Sequence, residues 1–154
     1  MQKLTPFLIS SLLIFGVAAC DNASKTSESA PNNPNEAPQS PTVQTTQASQ
    51  QDAQSDVRRR QLNSDIRARE QRHNTTGGGD TQRATGDLAS EVRSKLEANI
   101  PKGQLTVDAS KDGIVTVGGT VSNQKELAKI EPLSKQIKGV SSVVVKATVT
   151  PPKQ

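Results

Sequence analysis

Leu105-Thr106-Val107-Asp108-Ala109-Ser110-Lys111-Asp112-Gly113-Ile114-Val115-Thr116-Val117-Gly118-Gly119-Thr120-Val121 decides the fold of this chain. Leu105, Val107 and Ala109 alternate with Thr106 and Asp108, and Val115, Val117, Gly119 and Val121 alternate again, which is the period of half-buried strands. Lys111-Asp112-Gly113 supplies a tight turn between them, so the stretch predicts a β-hairpin with an Asp-Gly signal. Asp108 falls on the polar face and Asp112 in the turn, where its side chain can bond backbone amides, so neither requires a catalytic role. Gly119 stands on the inward face, which predicts that a helix crosses the sheet closely enough for a Cβ to obstruct it.

Outward from the hairpin, Leu88, Val92, Leu96 and Ile100 recur every four residues, with Thr85 or Asp87 available as N-cap and Pro101 to Gly103 as the stop. This is an amphipathic helix, with Glu91, Arg93, Lys95 and Glu97 at its remaining positions. After the hairpin, Asn123 and Glu126 have capping-box spacing and open a helix with apolar Leu127, Ile130, Leu133 and Ile137. Gly139 is expected to end it in the left-handed region, and Pro132 inside it removes one backbone bond and should kink or split it. Val143, Val145, Ala147 and Val149 give a third strand, which Pro151-Pro152 terminates. The expected class is α+β, a small α-β-β-α-β sandwich of a three-stranded sheet and two helices over residues 87–150, with 151–154 as a tail.

Upstream, residues 20–54 are mostly Asn, Pro, Ser, Thr, Gln and Ala and offer almost no bulky apolar surface to offset the entropy of ordering. They are expected to form a disordered tether, stiffened at Pro31, Pro34, Pro38 and Pro41; about 60 flexible residues before the folded unit span roughly 40–45 Å. Residues 55–86 read as a basic, partly helical segment followed by a hinge at Gly77-Gly78-Gly79. Arg58, Arg59, Arg60, Arg67, Arg69 and Arg72 stand there against Asp56, Asp65 and Glu70, with Val57, Leu62 and Ile66 as a thin apolar stripe. One reading lays these arginines on anionic headgroups; the other leaves a solvated linker with internal Arg-to-carboxylate pairs.

Lys3, the apolar run from Phe7 to Ala19 and Val17-Ala18-Ala19-Cys20 resemble a bacterial lipoprotein signal peptide closing in a lipobox; the run is too short to span a bilayer. The resemblance implies cleavage of residues 1–19 and acylation of Cys20, the chain's only cysteine, with two or more acyl chains anchoring stably. An ordinary signal peptide with a coincidental cysteine is the alternative. Asp21 is similar to an inner-membrane retention signal of enteric bacteria, a rule that varies between lineages and leaves inner against outer membrane open.

Val115-Thr116-Val117-Gly118-Gly119-Thr120-Val121 followed by Lys138-Gly139-Val140-Ser141-Ser142-Val143, in this element order, resembles the BON domain of bacterial envelope proteins over Asp87 to Val149. BON domains often occur in pairs, and some associate with phospholipid or with other envelope modules. Here there is one, and Pro132 departs from the usual uninterrupted second helix. The resemblance implies structural roles for Gly119 and Gly139.

Composition narrows the function classes. Both phenylalanines precede Cys20 and the chain has no Trp or Tyr, so base stacking and aromatic cages have no rings to use. One cysteine, committed to lipid, and one histidine, His73, leave no disulfide, thiol redox centre, metal cluster or well-supplied catalytic set, and His73 reads as a solvated linker residue. The net charge of +4 then points to anionic lipid or envelope polymer rather than nucleic acid. The expectation is a non-enzymatic protein without cofactor, anchored through acylated Cys20 and facing the periplasm. Its BON-like domain is expected to contact anionic phospholipid; the alternative is a periplasmic protein-protein adaptor using a sheet edge or helix face.

Overall fold

The computed structural model describes residues 23–75 and 84–153. Cys20, the signal peptide and the Gly77-Gly78-Gly79 hinge lie outside the described residues. The hairpin forms as its alternation predicts, from β2 (Gln104–Ala109) and β3 (Ile114–Val121). The register pairs Leu105 with Gly119, Val107 with Val117 and Ala109 with Val115 on one face. Gly113 takes a positive φ of 73° in the turn, where Ser110 N–H donates to the Ile114 carbonyl at 2.9 Å.

Helix α3 (Thr85–Asn99) lays Leu88, Val92 and Leu96 on that face, and α4 (Gln124–Ser134) adds Ile130. All are buried, as is Ile100 beyond α3. The caps differ from one another. Asn123 accepts from the Glu126 N–H at 3.0 Å while the Glu126 carboxylate accepts from the Ser122 N–H at 2.9 Å, a reciprocal cap. At α3 the N-cap is Ala84, without a side-chain bond, and Thr85 and Asp87 lie inside the first turn.

Pro132 shortens α4 rather than splitting it. The helix ends at Ser134, two residues later, and tightens through i to i−3 bonds from Gln136 and Ile137. Gly139 therefore does not end the helix directly; it takes φ 93° in the loop beyond. The third strand is β4 (Ser142–Val145) and β5 (Thr148–Val149), both parallel to β3, interrupted where the Lys146 and Ala147 N–H groups both donate to the Val117 carbonyl. Val143 is half-buried and Ala147 buried, whereas Val145 and Val149, expected inward, are partly exposed at this edge.

The α+β class holds, with more elements than expected: β1 (Ser24–Lys25), α1 (Val43–Gln54) and α2 (Asp56–Thr75) also belong to it. The expectation of a disordered tether over 20–54 is corrected for residues 23–54. Strand β1 pairs antiparallel with β2, Thr26 Oγ1 accepts from the Leu105 N–H at 2.9 Å and donates to the Gly103 carbonyl at 3.0 Å, and Thr106 Oγ1 donates to the Pro31 carbonyl. Hydroxyls and carbonyls therefore fasten this segment, and its own Ala30, Thr46 and Ala53 are buried. A polar sequence gives no apolar signal for such docking.

Gly119 is corrected as well. Its φ is 108°, and a Cβ there would overlap the Gln104 carbonyl of the neighbouring strand, not a helix. The close approach inferred at that site occurs next to it, on the other face: a Cβ on Gly118 would overlap the Pro34 carbonyl.

Candidate functional site

The basic segment becomes α2, and its geometry follows from charge more than from apolar contact. Of its apolar residues only Leu62 is buried, Ile66 is half-buried and Val57 is exposed. Arginines and carboxylates join α2 to α3 along its length. Arg58 forms a two-pronged pair with Glu97, Nε to Oε1 at 2.6 Å and Nη2 to Oε2 at 3.1 Å, and Arg93 donates to the same carboxylate at 2.9 Å. Further along, Asp65 accepts from Arg69 at 3.0 Å and from Ser94 Oγ at 3.1 Å. At the far end Arg69 and Arg72 both donate to Asp87.

Glu97 is buried, and its hydrogen bonds hold the Arg58 pKa above the ordinary arginine value, with burial opposing. Glu91 and Glu97 are both buried on α3, along which α2 packs.

The six arginines named from sequence thus separate into two groups. Arg58, Arg69 and Arg72 turn toward α3 and pair with its carboxylates. Arg59, Arg60 and Arg67 are exposed; Arg60 donates to its own helix at the Asp56 carbonyl, and among the described residues Arg59 and Arg67 form no ion pair. The linker reading foresaw pairs within the segment, and Arg69 with Asp65 is one. Pairs reaching α3 were not foreseen; the signal for them was the matching spacing of Asp87 and Glu97 on the later helix.

His73 is half-buried in the last turn of α2, not solvated, and with Glu70, Asn74 and Lys138 it lines a small cavity of about 180 Å³. A wider cleft of about 410 Å³ lies between the N-terminal segment and α1, lined by serines and threonines together with Glu28, Ala48 and Asp52. Among the described residues no cluster of His, Cys, Asp and Glu has the makings of a metal site, and no helix is long and apolar enough to cross a membrane.

The hairpin whose outer strand runs parallel to a later strand, with one helix before it and one after, gives the order α-β-β-α-β over residues 85–149. Residues 84–151 match the BON domain family. Comparison with curated proteins and with solved structures found no match. The BON domain comprises α3 to β5, so the arginines of α2 and the whole N-terminal segment are additions packed onto it. Gly119 and Gly139, the two glycines carried over by resemblance, both sit within it at positive φ.

Proposed function

We propose that this is a bacterial envelope protein, lipid-anchored at Cys20 and facing the periplasm, whose BON domain contacts anionic membrane surface without catalysis. BON domains occur in envelope proteins and are associated with phospholipid or membrane binding. The observation that carries the reading for this chain is the exposed row of Arg59, Arg60 and Arg67 on a helix clamped to the domain. Three arginines are taken up by the clamp and three are left to meet phosphate, each contributing on the order of 1 kcal/mol near an anionic surface.

The test uses the mature chain with Cys20→Ser, because residues 23–54 pack on the sheet and cannot be removed without uncovering it. Sedimentation with anionic vesicles should exceed that with neutral ones, fall with salt, and drop when Arg59, Arg60 and Arg67 become Gln. Equal recovery on both vesicles sinks the reading.

The adaptor reading retains one observation of its own. β4 ends the sheet, and Val144 and Val145 are 42% and 37% exposed along it. An open edge of this kind accepts an added strand. Cross-linking from β4 to an envelope protein, lost on Val144→Lys, would favour it.

A further inference from the structure

The two edges of the sheet are finished differently. Along β2 the edge is closed by the chain's own N-terminal segment: β1 pairs with Thr106 and Val107, and the Thr26 N–H donates to the Leu105 carbonyl at 2.8 Å. At the other edge, β4 has no strand beyond it among the described residues. Its sequence, Ser142-Val143-Val144-Val145, holds neither the charge nor the proline that usually blunts an edge, and Val144 and Val145 are exposed along it.

The register decides which backbone groups lie open. β4 runs parallel to β3, with Val143 beside Val115 and Val145 beside Val117. Lys146 N–H donates to the Val117 carbonyl at 2.8 Å, and in a parallel ladder that bond turns the backbone groups of Ser142, Val144 and Lys146 toward β3. Val143 and Val145 therefore turn their N–H and C=O groups outward. The open stretch stops on both sides: the Ser141 N–H is held by the Gly113 carbonyl at 2.8 Å and the Ala147 N–H by the Val117 carbonyl at 3.1 Å. What remains is a short set of donors and acceptors, symmetric about Val144.

We infer that this edge takes a second copy of the chain, β4 antiparallel to β4, with Val144 facing its own copy across a two-fold axis. The inference rests on the reading of β4 as a pairing edge given above and names the occupant. In this register Val143 stands opposite the second copy's Val145 on both sides of the axis, which closes about four backbone hydrogen bonds. Moving the centre to Val143 or to Val145 sets an outward-facing residue against Ser141 or Ala147, whose N–H groups are already engaged. For the same reason a longer foreign strand gains nothing beyond Val143 and Val145, whereas a second β4 matches the length and satisfies both edges at once, as an isologous contact does. The side chains agree. Lys146 falls opposite the second copy's Ser142, so no like charges meet, and the exposed Val144 and Val145 each gain a valine as cross-strand neighbour. So short a contact lies at the small end of interface sizes, and association is weak and rises with concentration.

Cysteine trapping reads a weak two-fold contact. Cys20 is the chain's only cysteine, so in the mature chain with Cys20→Ser an introduced one reports alone. Facing residues of a non-hydrogen-bonded antiparallel pair have Cα atoms about 4.5 Å apart, within disulfide reach. Val144→Cys should therefore oxidise to a disulfide dimer of twice the mass. Ile114→Cys, exposed on the neighbouring strand, and Lys125→Cys, exposed on α4, should stay monomeric under the same oxidant. Val145→Pro removes an outward N–H and leaves the ladder to β3 in place, so combined with Val144→Cys it should abolish the dimer while the circular-dichroism spectrum is kept. In sedimentation velocity the mature chain with Cys20→Ser should shift toward twice its monomer mass as concentration rises. Val145→Pro should lose that shift, and so should Val144→Lys, which sets two ammonium groups across the axis and spares the backbone. Absence of a Val144→Cys dimer overturns the inference. So does cross-linking of Ile114→Cys or Lys125→Cys at the same rate, which means collision rather than register, and so does a mass shift that survives both edge variants. If the chain stays monomeric while β4 still cross-links to an envelope protein, the edge reading stands and the second copy is excluded as its occupant; if β4 joins neither, both fall.

Discussion

Glu97 accepts from two guanidinium groups while its own side chain is almost fully buried, so it depends on both partners for the solvation that water no longer supplies. Glu97→Gln keeps the shape and removes the charge; it should lower stability by about 2 kcal/mol in urea unfolding, less than an orphaned buried charge would cost because Arg93 and Arg58 regain some solvent. The raised Arg58 pKa contributes stability at every pH below arginine's ordinary titration range and is lost only above it, so between neutral and mildly alkaline pH the contribution should be flat. Gly118 and Gly119 make a sharper pair. Gly119→Ala strains a positive φ and pushes into the Gln104 carbonyl, which should destabilise the whole domain by about 2–3 kcal/mol. Gly118→Ala pushes into Pro34 instead. It should leave the sheet intact and release the N-terminal segment, seen as new protease cleavage before residue 43 without a matching loss of the folded signal. Adjacent glycines look alike in sequence: alternation identified Gly119 as the inward one, but the agent crowding each depends on register and on a segment distant in the chain.

Among the elements, those with local signals were legible and those docked by polar groups were not. The hairpin turn, the Asn123 and Glu126 cap and the four-residue spacing of Leu88, Val92, Leu96 and Ile100 are all encoded within a few residues, where sequence patterns are strongest. Helix α1 has no such stripe; Thr42 caps it by accepting from the Thr45 N–H, and Ser49 meets the Gln104 amide at 3.1 Å. Helix α2 was read as partly helical, but its docking on α3 hangs on ion pairs whose partners lie 15 to 39 residues away in sequence. That composition makes a specific prediction. At molar salt the screening length falls to about 3 Å, and exposed pairs such as Arg72 with Asp87 weaken while the enclosed Arg58 with Glu97 resists. Amide exchange should therefore rise in the C-terminal half of α2 before its N-terminal half, with β3 unchanged. Uniform protection along α2 at high salt would mean that Leu62 and Ile66 hold it. Leu62→Ala then weighs that alternative, since truncating a single buried leucine costs about 2–5 kcal/mol.

At the scale of the whole molecule, the sheet is a frame with three attachments: α2 on one helix, the N-terminal segment on the second face, and, through Cys20 as proposed, the membrane. The first two were illegible because each is held by groups that sequence patterns assign to solvent; together they replace an expected span of roughly 40–45 Å with a connection of at most ~14 Å. A shorter connection changes what the arginines can do. Arg59 and Arg67 lie eight residues apart, about 12 Å along α2. In the unacylated chain, free to approach a vesicle from any side, Arg59→Gln and Arg67→Gln should weaken anionic binding to a similar degree. Once the acyl chains hold the domain close to the surface, that separation exceeds a Debye length of about 8 Å at physiological ionic strength, so with α2 upright only the arginine nearer the membrane should contribute. Partition of the acylated protein between neutral and anionic vesicles measures this directly: with α2 upright, one of Arg59→Gln and Arg67→Gln should shift it and the other should not. Equal shifts from both would mean that α2 lies along the membrane, with the domain turned on its side. The anchor would then fix only the distance and the arginine row would fix the orientation.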